Sequence, residues 1–226
     1  MFGLSLRRSI RFLFLIVVFD LACLPSTLFK HPRSELIGEG NQLIYKDTVI
    51  TQLPSTQAPA GAMKYLGKFR VTFYWIIRES DYGGPKDTPL YLENGKLLGY
   101  FDYDFVQAFK KEACAELKGG KLISYMKRVN RVGVVREFLG VNGYTISPFK
   151  SIAVDPSVIA TGSKLYIPAL TTMKERPHNG VVYAHDIGSM INGNSIDIFV
   201  GYQENTKLLT DAGIESSSLV DIYLLE

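Results

Sequence analysis

Short strand-like segments separated by turn residues fill the second half of this 226-residue chain. Runs of β-branched and aromatic residues between Gly, Pro, Asn and Asp predict strands rather than helices. An alternating segment at 68–77 opens the series, and further strands are predicted around 122–126, 132–135, 151–155, 164–167, 181–186, 195–202 and 219–225. Many short strands with few helices are typical of a β-barrel or a β-sandwich. We therefore predict an all-β domain with one or two short helices.

One helix and one hairpin are legible within this pattern. The residues that recur at helical spacing are Phe105, Phe109, Ala113 and Leu117. Asp104 can cap the amino end of this helix, and Gly119-Gly120 is predicted to end it. Asn94-Gly95 lies between two apolar runs and predicts a tight hairpin turn, because both residues tolerate a positive φ.

The amino-terminal residues have the order of an export signal. Three arginines precede the apolar run at 12–19, and translocation machinery reads charge followed by apolar residues. We assign residues 1–29 to a signal peptide or a retained membrane anchor, since residues 12–29 are just long enough to cross a bilayer. Asp20 disfavours the anchor, and Leu21-Ala22-Cys23 leaves a lipoprotein site open. We expect an exported protein of the periplasm or cell envelope, which contacts the membrane only through this segment.

Composition divides the rest of the chain into a linker and a folded domain. Residues 30–63 are rich in Pro, Ser, Gln and Thr with little periodicity, which predicts a linker. The domain is expected over residues 64–226, with the predicted hairpin and helix inserted at about 85–145.

Charge and side-chain chemistry exclude several kinds of partner. Without the leader, which carries three arginines and one aspartate, 22 positive and 21 negative side chains remain. A nucleic-acid-binding domain needs a concentrated basic face, and no basic run supplies one. Cys114 is the only cysteine outside the leader, and the histidines (His31, His178 and His185) lack metal-ligand spacing. We expect no nucleic acid, no metal and no cofactor, and a monomer.

Two aspartates lie on strand-like arms on either side of Asn192-Gly193. If this dipeptide is a two-residue hairpin loop, Asp186 is opposite Phe199 and Asp197 is opposite Gly188. Both carboxylates then share one face, ~7–8 Å apart at the backbone. Two neighbouring carboxylates in dry surroundings let one acid stay protonated near neutral pH, as a general acid for a glycosidic bond requires. The alternative for such aspartates is a turn former or a surface charge.

The same region resembles the three-aspartate (3D) domain family, found in membrane-bound lytic transglycosylase A and its relatives. The motifs that carry the resemblance are Ser151-Ile152-Ala153-Val154-Asp155-Pro156, Gly162-Ser163-Lys164-Leu165-Tyr166-Ile167-Pro168, Ala184-His185-Asp186-Ile187-Gly188 and Ile191-Asn192-Gly193-Asn194-Ser195-Ile196-Asp197-Ile198-Phe199. The three aspartates of the family fall on Asp155, Asp186 and Asp197. Clear resemblance covers residues 148–203, with fainter similarity at 71–74 and at Glu112.

The resemblance implies a fold and an activity. The fold is a double-psi β-barrel, and the activity cleaves the β-1,4 bond between N-acetylmuramic acid and N-acetylglucosamine in peptidoglycan, with a 1,6-anhydro product. Asp197 would be the catalytic acid and then the base, because the sugar's own C6 hydroxyl attacks C1 and one carboxyl can serve both proton transfers. Asp186 would hold and tune Asp197, and Asp155 would fix a loop at the groove.

The chain departs from the family pattern after the second aspartate. Ile187-Gly188-Ser189 and Ile191-Asn192-Gly193 stand where the family normally has Thr-Gly-Gly and Ile-Lys-Gly. Ser189 restores a hydroxyl on the same face as Ile187 if the strand is regular. Because of these departures, a second hypothesis is a barrel that binds the cell wall without cutting it. A plain hydrolase is a third hypothesis.

The remaining candidates have a functional and a structural interpretation each. Tyr74 and Trp75 could stack on sugar rings or belong to the core. Glu112 is either a second carboxylate at the site or a solvated charge on the helix. His185 alternates to the face opposite Asp186 and is interpreted as structural.

Overall fold

Strands dominate residues 61–226, the part of the chain that the computed structural model describes. They are β1 (Met63–Tyr74), β2 (Ile77–Arg78), β3 (Lys86–Tyr91), β4 (Leu97–Asp102), β5 (Cys114–Glu116), β6 (Leu122–Met126), β7 (Arg131–Val135), β8 (Ser151–Val154), β9 (Lys164–Tyr166), β10 (Val181–Ile187), β11 (Ser195–Phe199) and β12 (Leu219–Leu225). The α-helices are α1 (Tyr103–Glu112) and α2 (Thr206–Thr210). The expected export segment, residues 1–29, and nearly all of the expected linker, residues 30–63, lie outside the described residues.

Six of the strands close into a barrel in the order β1-β11-β8-β10-β9-β12. β1 runs parallel to β11 and β10 runs parallel to β8, whereas the other four neighbouring pairs are antiparallel. Two parallel pairs within one closed six-stranded barrel are the arrangement of a double-psi β-barrel. The predicted all-β class is confirmed.

Alternate residues of the barrel strands fill the barrel interior. Ile196 and Ile198 of β11, and Ile152 and Val154 of β8, have no exposed surface. Since side chains alternate between the two faces of a strand, the residues between them lie on the outer face of the barrel. Asp197 is one of these outward residues.

Between β1 and β8 the chain leaves the barrel and builds a second layer on its outer face. This layer holds a four-stranded sheet in the order β2-β5-β6-β7, the β3–β4 hairpin and α1. Phe105 and Phe109 of α1 pack with Ile123 of β6, in a buried cluster that belongs to the second layer. The carboxyl end of α1 and the β6–β7 turn are thereby held beside the outer face of the barrel.

The prediction for the helix was wrong at both ends, and the prediction for its neighbouring hairpin is confirmed. Asp102, not Asp104, is the N-cap, because its carboxylate accepts hydrogen bonds from two backbone N–H groups at 2.7 and 3.1 Å. The helix ends at Glu112 and is capped by Ala113, whose φ of 63° is left-handed, and β5 follows directly. Gly119-Gly120 instead forms the turn between β5 and β6. Asn94-Gly95 lies in the β3–β4 turn as predicted.

None of the helices among residues 61–226 is long and apolar enough to cross a bilayer.

Candidate functional site

The predicted hairpin between β10 and β11 was wrong. The two strands do not pair with each other, because β8 lies between them and pairs with both. The side chains of Ile152 and Val154 on β8 are fully buried in the barrel interior, and this burial of apolar surface stabilises β8 in its place between the two strands. Gly188 is therefore not opposite Asp197.

Both aspartates nevertheless share one face, by a different geometry. Asp186 and Asp197 are each the register partner of Ala153, from opposite sides of β8. Their backbones are two strand spacings apart, ~10 Å, rather than the shorter separation of the predicted hairpin. A glycine opposite Asp197 would leave open space beside its carboxyl group, and this was the expected role of Gly188; the residue opposite Asp197 on β8 is instead Ala153, whose side chain is a single methyl group.

A groove with a volume of about 540 Å³ lies over this face. One wall is the outer face of the barrel with Asp186 and Asp197, and the other is the carboxyl end of α1 with strand β6. Lys110, Lys111 and Lys127 also line it. The groove thus combines acidic groups at its floor with cations at its rim.

Asp197 is the most perturbed carboxyl group on the groove floor. Burial, together with the negative charges of Glu112 and Asp186, raises its pKa to about 6, against the opposing effects of the nearby Thr72 hydroxyl and the charge of Lys111. Its Oδ1 atom is buried and has no hydrogen-bond partner among residues 61–226. A carboxyl group that lines a groove and holds a proton near neutral pH is suited to give that proton to a bound ligand.

Asp186 is held by two donors. The Tyr74 hydroxyl donates to its Oδ2 at 3.2 Å, and the Ile187 backbone N–H donates to its Oδ1 at 2.9 Å. Burial raises the pKa of Asp186, and both hydrogen bonds oppose that rise. The ring of Tyr74 is buried against Phe199, at 5.1 Å between centroids. Tyr74 therefore reaches the groove through its hydroxyl, which orients Asp186.

Asp155 ties the loop between β10 and β11 to the end of β8. Its Oδ2 accepts a hydrogen bond from the Gly193 backbone N–H at 2.7 Å. Its Oδ1 accepts from the backbone and the hydroxyl of Ser157, at 2.9 and 2.6 Å. The Ser157 hydroxyl, followed by Gly193, holds the pKa of Asp155 below its usual value. This geometry supports the loop-fixing role that the resemblance implies.

Replacing Asp155 should disturb ligand binding more than bond cleavage. In Asp155→Ala the loop loses its attachment at Gly193, so for the glycan cleavage that the resemblance implies we expect KM to rise by roughly ten- to a hundredfold while kcat changes less. Steady-state kinetics on soluble glycan strands measures both. Asp211→Ala is the matched control, because Asp211 pairs with Lys207 on α2; an equal rise of KM in that variant would contradict the role.

Ser189 was expected on the face of Ile187 only if the strand is regular; the strand ends before Ser189, although the residue does reach the groove. β10 ends at Ile187, and Ser189 lies in the turn that follows. Lys127, from the turn after β6, places its Nζ 3.4 Å from the Ser189 hydroxyl. Asn192 lines the same groove. A hydroxyl and a cation therefore lie together at the rim of the groove. The cation comes from the turn after β6, whereas the family pattern has a lysine at the position of Asn192.

Sequence reasoning undervalued three residues around Asp197. Thr72 is the direct register partner of Asp197 on β1. The side chain of Glu112 is only 10% exposed and pairs with Lys111 at 3.2 Å, so it is not a freely solvated helix charge. Neither Thr72 nor Lys127 carries a local signal, since Thr72 joins the site through the pairing of β1 with β11 and Lys127 joins it through the packing of the second layer beside the barrel.

No group of three or more His, Cys, Asp or Glu side chains among residues 61–226 is arranged to hold a metal ion.

Comparisons with known proteins agree with the predicted family and fold. Residues 150–225 match the family model described as the 3D domain, which confirms the resemblance and extends it to β12. The crystal structure of E. coli MltA with bound chitohexaose is similar, with a TM-score of 0.52 and 12% identity over 71% of this chain and 72% of that chain. A membrane-bound lytic murein transglycosylase from Agrobacterium tumefaciens has a TM-score of 0.47 and 15% identity over 71% and 73% of the two chains. No curated protein matches this chain by sequence.

Proposed function

We propose that this chain, which carries a 3D domain in residues 150–225 and shares the barrel fold of E. coli MltA, is a peptidoglycan lytic transglycosylase. The observation that carries the proposal is the Asp197 carboxyl, which lines the groove, has a pKa raised to about 6 and keeps its buried Oδ1 atom without a hydrogen-bond partner among residues 61–226. Such a group holds a proton at mildly acidic pH and is in reach of a ligand. That combination is what acid catalysis of glycosidic bond cleavage needs.

The groove supports a glycan strand as the ligand. Its volume of about 540 Å³ is within the range of ligand-binding clefts, and the bound chitohexaose in E. coli MltA is an oligosaccharide on the same fold. Lys127 and Ser189 supply a cation and a hydroxyl at the rim. Peptidoglycan presents both hydroxyls and carboxylates to such groups.

The proposed reaction needs one carboxyl for two proton transfers. Protonated Asp197 gives its proton to the bridging oxygen as the bond from that oxygen to C1 of N-acetylmuramic acid breaks. The C6 hydroxyl of the same sugar attacks C1, and its proton passes to the Asp197 carboxylate. Asp197 is protonated again, the leaving N-acetylglucosamine ends in a hydroxyl, and the muramic acid ends as a 1,6-anhydro sugar. No water is consumed.

The neighbouring acids tune this cycle. Glu112 and Asp186 are negative groups that raise the pKa of Asp197, which favours the protonated starting state. Thr72 and Lys111 favour the carboxylate and so stabilise the state reached after the first proton transfer. A pKa near the working pH lets a single group serve as acid and then as base.

Digestion of purified sacculi by the full chain tests the proposal. Mass spectrometry of the soluble products should find fragments that end in anhydromuramic acid. Reducing ends in their place would support the plain hydrolase. An absence of soluble products, with the protein retained on the sacculi, would support the non-catalytic alternative.

The non-catalytic alternative is favoured by one observation. Ile187, which stands where the family has a threonine, is 46% exposed and lines the groove, so an apolar side chain replaces a hydroxyl there. A barrel of this kind would bind glycan strands in the cell envelope without cutting them.

We also propose how the whole chain is organised. Residues 1–29 direct export, as a cleaved signal or as an anchor, and residues 30–63 form the linker to the domain at 64–226. This arrangement would deliver a monomeric enzyme to the peptidoglycan of the cell envelope. It rests on the sequence pattern of the leader and on the nature of the proposed substrate.

A further inference from the structure

Strand β10 has one extra residue between two successive pairs with its partner β8. Tyr183 pairs with Ser151 and Ala184 pairs with Ile152, but the next pair is Asp186 with Ala153. His185 is therefore the extra residue of a β-bulge. A bulge of this kind bends the strand and changes the face to which the following side chains point.

The bulge decides where Asp186 points. Ala184 and Ile152 are both fully buried in the barrel core. In a regular strand, residues two apart share a face, so Asp186 would follow Ala184 into that core. With the extra residue, Asp186 lies instead on the outer face beside Ala153 and on the same groove as Asp197.

The ring of His185 is packed on both sides. It stacks on Tyr144 at 4.8 Å and 11°, and on Tyr183 at 5.2 Å and 16° between ring centroids and planes. Its Nδ1 lies 3.0 Å from the hydroxyl of Ser151, which is completely buried. That hydroxyl in turn accepts a hydrogen bond from the Ser147 backbone N–H at 2.9 Å.

The backbone of the bulge is enclosed as well. Gly140 packs so closely on the His185 carbonyl that a Cβ atom at that position would overlap its oxygen. The Gly140 N–H donates to the Tyr144 carbonyl at 2.8 Å, so the loop that carries both residues covers the bulge. Burial lowers the pKa of His185, which keeps the imidazole neutral in this enclosure.

We propose that His185 is a positioning residue: its stacked and hydrogen-bonded ring holds the β-bulge that turns Asp186 out of the barrel core and onto the groove beside Asp197. His185 does not line the groove and so acts only through Asp186. The inference rests on the proposed function for its catalytic consequence, but its structural part stands on the geometry of β10.

Two substitutions of His185 in the full chain test the proposal. His185→Ala removes both the stack and the hydrogen bond, so kcat should fall by roughly ten- to a hundredfold with KM nearly unchanged. His185→Phe keeps a ring between Tyr144 and Tyr183 and should recover most of that loss. His178→Phe is the matched control, because this other buried histidine bonds the Phe149 carbonyl, away from the groove; it should lower the melting temperature and leave kcat unchanged.

A second measurement does not depend on activity. The Ile187 N–H donates to Asp186, so its amide chemical shift in NMR should follow the titration of that carboxyl in the wild type. His185→Ala should abolish this response, and His185→Phe should restore it. Tyr144→Leu, which removes one face of the stack from a surface residue, should weaken the response even if His185→Ala does not fold.

The outcomes separate the two proposals. An unchanged Ile187 response in His185→Ala and in Tyr144→Leu would overturn the positioning role. An equal fall of kcat in His178→Phe would also overturn it, since general destabilisation would then explain the loss. A lost Ile187 response in a chain that never releases anhydro products would uphold the positioning role and refute the proposed function.

Discussion

Asp197→Asn should lower kcat for the release of anhydro products from sacculi by roughly 10²- to 10⁴-fold, the range that a general acid contributes. The amide cannot give a proton to the bridging oxygen, and it cannot take one from the C6 hydroxyl. It has nearly the shape of the carboxyl group, so binding of sacculi should persist. Product release measured over time by mass spectrometry, together with sacculus pull-down, separates the two effects.

Asp221→Asn is the control for this prediction. Asp221 lies on β12 and pairs with Lys68 at 3.2 Å, on a part of the barrel that does not line the groove. The control should keep wild-type activity. Retention of a substantial rate in Asp197→Asn would remove Asp197 from the chemistry and direct attention to Glu112 or Asp186.

The same substitution should stabilise the protein above about pH 6. Burial raises the pKa of Asp197 from 3.8 to about 6 in the folded state, so the folded protein binds this proton more tightly than the unfolded chain does. Its contribution to stability is fully present below the unfolded pKa and is lost as pH rises through the folded pKa. The amide side chain of the variant does not titrate, so Asp197→Asn should gain about 1–3 kcal/mol at neutral pH.

Urea unfolding of both proteins at about pH 8 and at about pH 3.5 checks the sign of this effect. The gain in the free energy of unfolding should appear at the higher pH and vanish at the lower one. Asp155→Asn is the contrasting variant, because hydrogen bonds lower the pKa of Asp155. It should destabilise the protein at the higher pH and lose that effect as the pH falls. A loss of stability in Asp197→Asn at the higher pH would contradict the raised pKa of the Asp197 carboxyl group.

The strands could be predicted from sequence because their signal is local. Alternating β-branched residues at 195–199 and 219–225 specify a strand with one buried face, and the structure places β11 and β12 there. The short strand β2 (Ile77–Arg78) has no such pattern, since two residues cannot show a period. The helix prediction failed at its amino end because Asp102 and Asp104 both precede the apolar positions, and spacing alone does not distinguish which of them is the cap.

Strand pairing was the part that sequence could not supply. The Asn192-Gly193 pattern favoured a local hairpin, but β8 lies between the two arms. Asp186 and Asp197 still share a face because two features of the structure compensate. The inserted strand β8 changes the pairing partners of both arms, and the bulge at His185 turns Asp186 to the outer face of the barrel. Neither feature follows from the spacing of the residues. The resemblance to the 3D domain agrees with the family model that matches residues 150–225, while the strand register predicted for the two aspartates was wrong.

The proposed chemistry depends on the C6 hydroxyl of the sugar, rather than water, attacking C1 while Asp197 moves both protons. Digestion of sacculi in heavy-oxygen water, followed by mass spectrometry of the muramic acid ends, tests this directly. We predict anhydro ends without any heavy oxygen, because no water enters the product. Ends that carry one heavy oxygen would mean that water is the nucleophile, and would contradict a transglycosylase with a single acid and base.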